Sequence, residues 1–370
     1  YAAPGEVVII DLPPHAKGFT AQIGAWTDDL SGKASPKRFP VVYSRQTLVA
    51  GQRNYVRNLF GGNIYIRTQF PVKEPVTMVF SNVCKSPDFF IGKTDEAAWK
   101  QEIMNTSVPW FEFVTKSVIF TLPTERMKNL LTRNPGFNMT ENAKGWEDIV
   151  ALDYNQWMGL SDTASDPRDL QIDLPSRYVL DIEISAGWGH NGYPVMAYDD
   201  PEWFNSAMDG NRPVSMWGAL HELGHNVQQG STWSWSGLGE TTRNLFSFKR
   251  AERMGIPYKN LHSNDWVQEA LDFAKNGTAQ FDNANLSPFH KLVPFLQIYH
   301  KAVRYDGQDD GWGFMGYLYR RARHAERLSM TDLDKRDFLY EALCEYTGKD
   351  YGIFFEAWKI PISSYSRDKM

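Results

Sequence analysis

Short apolar runs separated by turn residues fill the first eighty positions: VVIIDL from Val7, FTAQIGAW from Phe19, FPVVYS from Phe39, NIYIRTQF after the Gly61-Gly62 pair, and VTMVFS from Val76. In the second run Phe19, Ala21, Ile23 and Ala25 alternate with Thr20, Gln22 and Gly24, the period of a strand with one buried face. After Lys93 the period lengthens. Thr94-Asp95-Glu96 reads as a helix start ahead of AAWKQEIM, and helical spacing predicts further helices over 124–131, 143–158, 265–274, 288–303, 314–323 and 331–346. SVIFTLP and RYVLDIEIS interrupt them as strands. The pattern predicts an α+β chain: a β-sandwich over 1–92, then a mainly helical domain with a small sheet over 93–370.

Composition narrows the function classes. The chain has 370 residues, a formal charge of -5 and no dense Lys/Arg run, which argues against a phosphate-backbone surface and so against nucleic acid as a partner. Its apolar runs fall well short of the roughly 20 residues that span a bilayer. Cys84 and Cys344 are the only cysteines, leaving one bridge or two separate thiols equally open. Because the chain begins at Tyr1 rather than Met, a signal peptide or upstream domains are expected to precede this numbering.

The chemistry lies in SMWGALHELGHNVQQ, Ser215 to Gln229. His221 and His225 stand four positions apart, and on a helix such positions share one face one turn apart, so both imidazoles can reach one ion. Met216, Leu220, Leu223 and Val227 supply an apolar stripe that such a helix would bury. A hydrolytic zinc site needs three protein ligands and an open position, and two histidines with one glutamate form a recurring set. Glu240, in GLGETTRNLFSFKRAERMG, is the expected third ligand, opening a second helical run that stops at Gly255 and Pro257. Asn244, one turn after Glu240, is placed to hydrogen-bond a ligating histidine. Glu222 follows a ligand directly and so sits beside the metal without binding it, the position of a general base.

HELGHNVQQ followed by GLGETTRNLFS resembles the enhancin-like, mucin-directed zinc peptidases, whose pattern is HExGHN and then a Glu on the next helix. YAAPGEVVIIDLP, TLVAGQRNYVRNLFGGNIYIRTQ and SAGWGHNGYPVM resemble their opening sandwich strand, the glycine-pair strand and a cleft segment. The resemblance implies a gluzincin-type catalytic domain beside a β-sandwich, zinc on His221, His225 and Glu240, catalysis by Glu222, and O-glycosylated, mucin-like glycoprotein substrates. The TRP-channel-associated factors share this layout, with emphasis on regulatory binding. One departure stands out: many relatives carry a Glu-Val-Asn-Asn-like run where this chain has Glu240-Thr241-Thr242-Arg243-Asn244.

A peptidase of this kind also needs a donor for the developing oxyanion, and Tyr193 and His190, in the Gly-rich stretch after RYVLDIEIS, are the candidates. Trp188, Trp233 and Trp235 are candidate platforms for sugar or peptide groups, Trp233 and Trp235 with core packing as the competing role. The expected function is a secreted or cell-surface zinc endopeptidase acting on glycoproteins, with glycan contact. Two alternatives stand beside it: a non-proteolytic binding or regulatory module that keeps the zinc site, and a zinc hydrolase acting on another bond, such as an aminopeptidase.

Overall fold

The computed structural model describes residues 1–210, 217–257, 261, 265–326 and 329–370. They form two compact units, 1–145 with 175–210, and 146–174 with 211–370.

Among the described residues, the sheets all lie in the first unit. Strands β1 (Val7–Asp11), β4 (Arg53–Arg57) and β6 (Val79–Ser81) pair in the order β4-β1-β6, and β2 (Phe19–Ile23), β3 (Ser44–Thr47) and β5 (Ile64–Thr68) in the order β3-β2-β5. All four pairings are antiparallel. Val8 and Ile10 of β1, Phe19, Ala21 and Ile23 of β2 and Val56 of β4 share one core with Ile64 and Ile66, so the two sheets make a sandwich. FPVVYS enters the ladder only at Ser44. The reason is local: Arg38 donates through Nη1 to the Phe39 and Pro40 carbonyls, and Pro40 brings no N–H.

A six-stranded sheet follows in the order β11-β12-β10-β9-β8-β7, built from β7 (Phe89–Phe90), β8 (Trp110–Val114), β9 (Val118–Pro123), β10 (Ser176–Asp181), β11 (Gly189–His190) and β12 (Val195–Tyr198). β9, β10 and β12 run parallel, and their hydrophobic stretches are buried as parallel strands require. Three helices accompany these strands at positions α1 (Glu96–Asn105), α2 (Thr124–Arg133) and α4 (Pro201–Ala207), while α3 (Met139–Asp148) reaches the second unit. Asp95 caps α1 by accepting from the Ala98 N–H.

The second unit is helical: α5 (Trp217–Asn226), α6 (Leu245–Arg253), α7 (Asp265–Asn276), α8 (Pro288–Lys301), α9 (Phe314–His324), α10 (Asp332–Thr347), α11 (Gly352–Ala357) and α12 (Ser364–Lys369). The run 143–158 is not one regular helix, because α3 passes into a π-helical segment over Ile149–Gln156. That segment buries Asp153, which pairs with Arg250 and Arg253 of α6, and Tyr154, whose ring stacks on Phe246 with centroids 4.2 Å apart. Tyr154 Oη donates to the Leu220 carbonyl at 2.5 Å, tying this segment to α5 just before His221. Cys84 is exposed, Cys344 is buried, and both are free thiols. Among the described residues no helix is long and apolar enough to cross a membrane.

Candidate metal centre

Helix α5 carries HELGH, with Leu220 and Leu223 buried and both histidines half-buried at its surface. Met216, the first residue of the expected apolar stripe, lies outside the described residues. Glu240 does not open a helix: it stands on a turn, followed by a 3-10 turn at Thr242–Asn244 and only then by α6. Gly224 lets this turn approach α5 closely. A Cβ there would lie 2.7 Å from the Arg243 carbonyl oxygen and 2.8 Å from the Arg243 Cβ, distances that real side chains do not tolerate. Glycine at the fourth position of the motif is therefore what brings Glu240 and Asn244 beside the histidines.

His221, His225 and Glu240 form the one group of three or more His, Cys, Asp or Glu, among the described residues, whose donor atoms lie within 4.8 Å of one another. His221 Nε2 is 3.8 Å from Glu240 Oε2, and the two rings stand nearly perpendicular with centroids 5.3 Å apart. Tetrahedral zinc holds such donors about 3.4 Å from each other, so small side-chain movements close the set.

The hydrogen bonds decide which nitrogens offer lone pairs. His221 Nδ1 is 2.7 Å from Asn244 Oδ1, and the Asn244 Nδ2 donates to the Glu240 carbonyl at 2.9 Å. His225 Nδ1 is 3.1 Å from Gln228 Oε1, and Gln228 Nε2 donates to the Gly239 carbonyl at 2.9 Å and to Thr242 Oγ1 at 2.8 Å. Each amide spends its NH₂ on oxygen acceptors and so turns its oxygen to a histidine. Both histidines must then donate from Nδ1, leaving Nε2 as a bare donor atom for a metal. Burial holds both imidazoles down to about 4, with the nearby Arg243 charge acting in the same direction. They are neutral at pH 7, the form a metal requires. The donor set thus fits a zinc ion.

Two predictions arise here. Asn244→Ala or Gln228→Ala should each weaken zinc binding by about 10- to 100-fold, measured by chelator competition; unchanged affinity would show the amides to be bystanders. The second concerns the metal-free chain, where the unfolded state takes up protons on these histidines below pH 6.5 and the folded state only near 4. Stability contributed by the neutral rings is full above pH 6.5 and is lost as the pH falls toward 4. Melting in chelator should drop across this window, and a His221→Asn/His225→Asn variant should show a shallower drop. An equal slope in both proteins would refute the assignment.

Glu222 is 8 % exposed and lies in the field of the Arg243 guanidinium. Arg243 has no exposed surface, and its Nη2 is paired with Glu240 Oε2. Burial pushes the guanidinium down to about 10, so it stays charged at neutral pH.

Other expected site residues are placed differently. Trp233 and Trp235 have 0 % and 1 % exposure, their indole N–H groups donating to Gln229 Oε1 and Asp282 Oδ1 at 2.8 Å each. A ring with no open face cannot stack on a sugar, which corrects the expectation for both: they pack the core under the 227–240 connection. Trp188, His190 and Tyr193 belong to the first unit. Trp188 is 47 % exposed and donates to Asp200, Tyr193 is 57 % exposed, and His190 meets Asp28 Oδ2 through Nε2 at 2.8 Å and the Asn191 carbonyl through Nδ1 at 2.9 Å. Gln228 and Tyr154 were not anticipated. Gln228, three positions after His225, carries a spacing signal; Tyr154 carries none, since its partner is a backbone carbonyl 66 positions away.

Comparison with known proteins finds two family matches that together span most of the chain. The family described as Peptidase M60, enhancin and enhancin-like, matches residues 82–359, and the N-terminal domain of M60-like peptidases matches residues 1–80. TRPM8 channel-associated factor 2 of Mus musculus is 32% identical over 361 residues, covering 96% of this chain and 36% of that protein. The chain therefore spans little more than a third of that curated relative. Among solved structures, a protein of unknown function from Bacillus anthracis superposes with a TM-score of 0.78 at 20% identity, over 100% of this chain and 71% of that one. The M60 catalytic domain of ZmpC from Clostridium perfringens, solved in complex with the sialyl T antigen, gives 0.74 at 14% identity, over 100% and 72%. At such identities the likeness is one of fold.

Proposed function

Since the chain belongs to the M60 family of enhancin and enhancin-like peptidases, we propose that it is a zinc-dependent endopeptidase that cuts the polypeptide of O-glycosylated, mucin-like glycoproteins outside the cell or at its surface. The observation that carries the reading is the pair of histidines whose Nδ1 atoms are engaged by Asn244 and Gln228, clustered with the Glu240 carboxylate so that the three can share one ion.

In this reading His221, His225 and Glu240 hold the zinc. Bound zinc supplies a Lewis acid that polarises the scissile carbonyl and makes water easier to deprotonate. Glu222 takes a proton from the attacking water and returns it to the leaving amine, its site shielded enough to keep that proton from bulk solvent. Asn244 and Gln228 keep Nε2 of each histidine unprotonated and aimed. Tyr193 and His190 are our candidates for the oxyanion donor and Trp188 for a substrate contact. Glycan recognition draws support from the sialyl T antigen bound by the ZmpC catalytic domain.

A second reading follows from the TRPM8 channel-associated factors, which match this chain along nearly its whole length: a regulatory binding module that retains the metal. One experiment separates the two. A defined O-glycoprotein is incubated with the zinc-loaded chain, with and without chelator, and fragments are read by mass. Chelator-sensitive cleavage is expected; an intact substrate across a panel of glycosylated and unglycosylated proteins would favour the regulatory reading.

A further inference from the structure

A fully buried guanidinium beside a metal site is unusual, because burying a cation is costly unless an opposite charge meets it. Arg243 meets two carboxylates. Glu240 Oε2 is its ion-pair partner, and the charge on Glu222 opposes the effect of burial on it. The Glu240 oxygen that Arg243 holds is the same one that lies 3.8 Å from His221 Nε2. One oxygen is therefore shared between the guanidinium and the position a metal would occupy. The arginine backbone packs against Gly224 of α5 with no room for even a methyl group between them, so it cannot shift further toward that helix. Among the described residues no Arg243 nitrogen makes a well-formed hydrogen bond, so its compensation is ionic: the pairing with Glu240 and the charge of Glu222.

We propose that Arg243 is a resident cation of this centre: it neutralises Glu240 in the metal-free chain, yields that oxygen when zinc enters, and thereby sets a weakened, readily reversible zinc affinity. The proposal rests on the zinc reading above. Its physical basis has two parts that act together. The ion pair stabilises the metal-free state, and in the loaded state two cations would share one carboxylate; Arg243 is buried while Glu240 is 67 % exposed, so solvent weakens their repulsion without removing it. Both differences subtract from zinc affinity. Arg243 acts through Glu240 and touches no substrate, so it is a positioning residue.

The test measures zinc affinity at pH 7.5 by competition with a chromogenic chelator, using the whole chain and its R243K, R243Q and R243M variants. R243Q and R243M are expected to bind zinc about tenfold more tightly or better, while R243K, which keeps the charge, stays near the unsubstituted chain. Equal or weaker affinity in both neutral variants, with unchanged circular dichroism, overturns the proposal. A second measurement does not depend on those variants folding. In chelator, E240Q should melt several degrees lower because it leaves the guanidinium buried against a neutral amide, and E240Q/R243Q should recover part of the loss. E240Q melting like the unsubstituted chain also overturns the proposal. A chain that binds no zinc removes the zinc reading and the affinity claim with it, and the metal-free melting comparison still reports whether the ion pair exists.

Discussion

Replacing Glu222 with Gln is expected to leave about one zinc per chain while lowering cleavage of an O-glycoprotein by about a thousandfold. The amide matches the carboxylate in shape and keeps the helix intact, so the loss isolates proton transfer. A thousandfold corresponds to about 4 kcal/mol of barrier. The carboxylate is well placed for this role: it follows His221 on α5, it is 8 % exposed, and it lies in the field of the buried Arg243 guanidinium. Metal content by atomic spectroscopy and single-turnover rates would decide the matter. A variant that cleaves at the original rate would sink the assigned base, and one that also loses its zinc would show that Glu222 helps hold the metal.

The second large effect is expected from Gly224→Ala. The added methyl would lie 2.7 Å from the Arg243 carbonyl oxygen and 2.8 Å from its Cβ, and both belong to a turn whose side chains are buried from Thr241 to Phe248. Helix α5 and the 240–244 turn must then separate. Overpacking of this kind costs about 1–3 kcal/mol, or about 5 °C in a unit of this size. Metal binding should suffer beyond the stability loss, because Asn244 and Glu240 leave His221 together. We expect zinc affinity to fall by about 100-fold, the scale of losing an orienting partner. Normal affinity and melting in Gly224→Ala would mean that the close approach is not needed to assemble the ligands.

Much of this was readable from the sequence because it is local. The HELGH helix follows from spacing alone, and the start of α1 from Asp95. Thr331 signals α10 in the same way, through its reciprocal bonds with Asp334. What the sequence hid depends on partners far along the chain. β4 was missed because its alternation runs Arg53, Asn54, Tyr55, Val56, Arg57, where a buried Asn breaks the apolar signal; Asn54 Nδ2 is satisfied by the Ile10, Val49 and Gln52 carbonyls. The π-helical segment reads as ordinary helix until Arg250, Arg253 and the Leu220 carbonyl are seen waiting for Asp153 and Tyr154. Trp233 and Trp235, adjacent to the motif, invite a role in binding. Their burial comes from Phe295, Tyr319, Asp282 and Arg336, all more than forty positions downstream. Glu240 was identified by residue type and distance from His225, yet its place on a turn rather than a helix follows from the contact at Gly224.

The partners of the two histidines have a consequence for reactivity. Metal-bound imidazoles commonly lean on carboxylates, which push electron density toward the ion through the ring and blunt its electrophilic character. Here both rings lean on neutral amides, Asn244 and Gln228, which aim them without adding charge. A zinc ion held this way would keep more of its pull on an acyl oxygen. Exchanging either amide for the matching acid, Asn244→Asp or Gln228→Glu, would therefore trade electrophilic strength for a firmer grip.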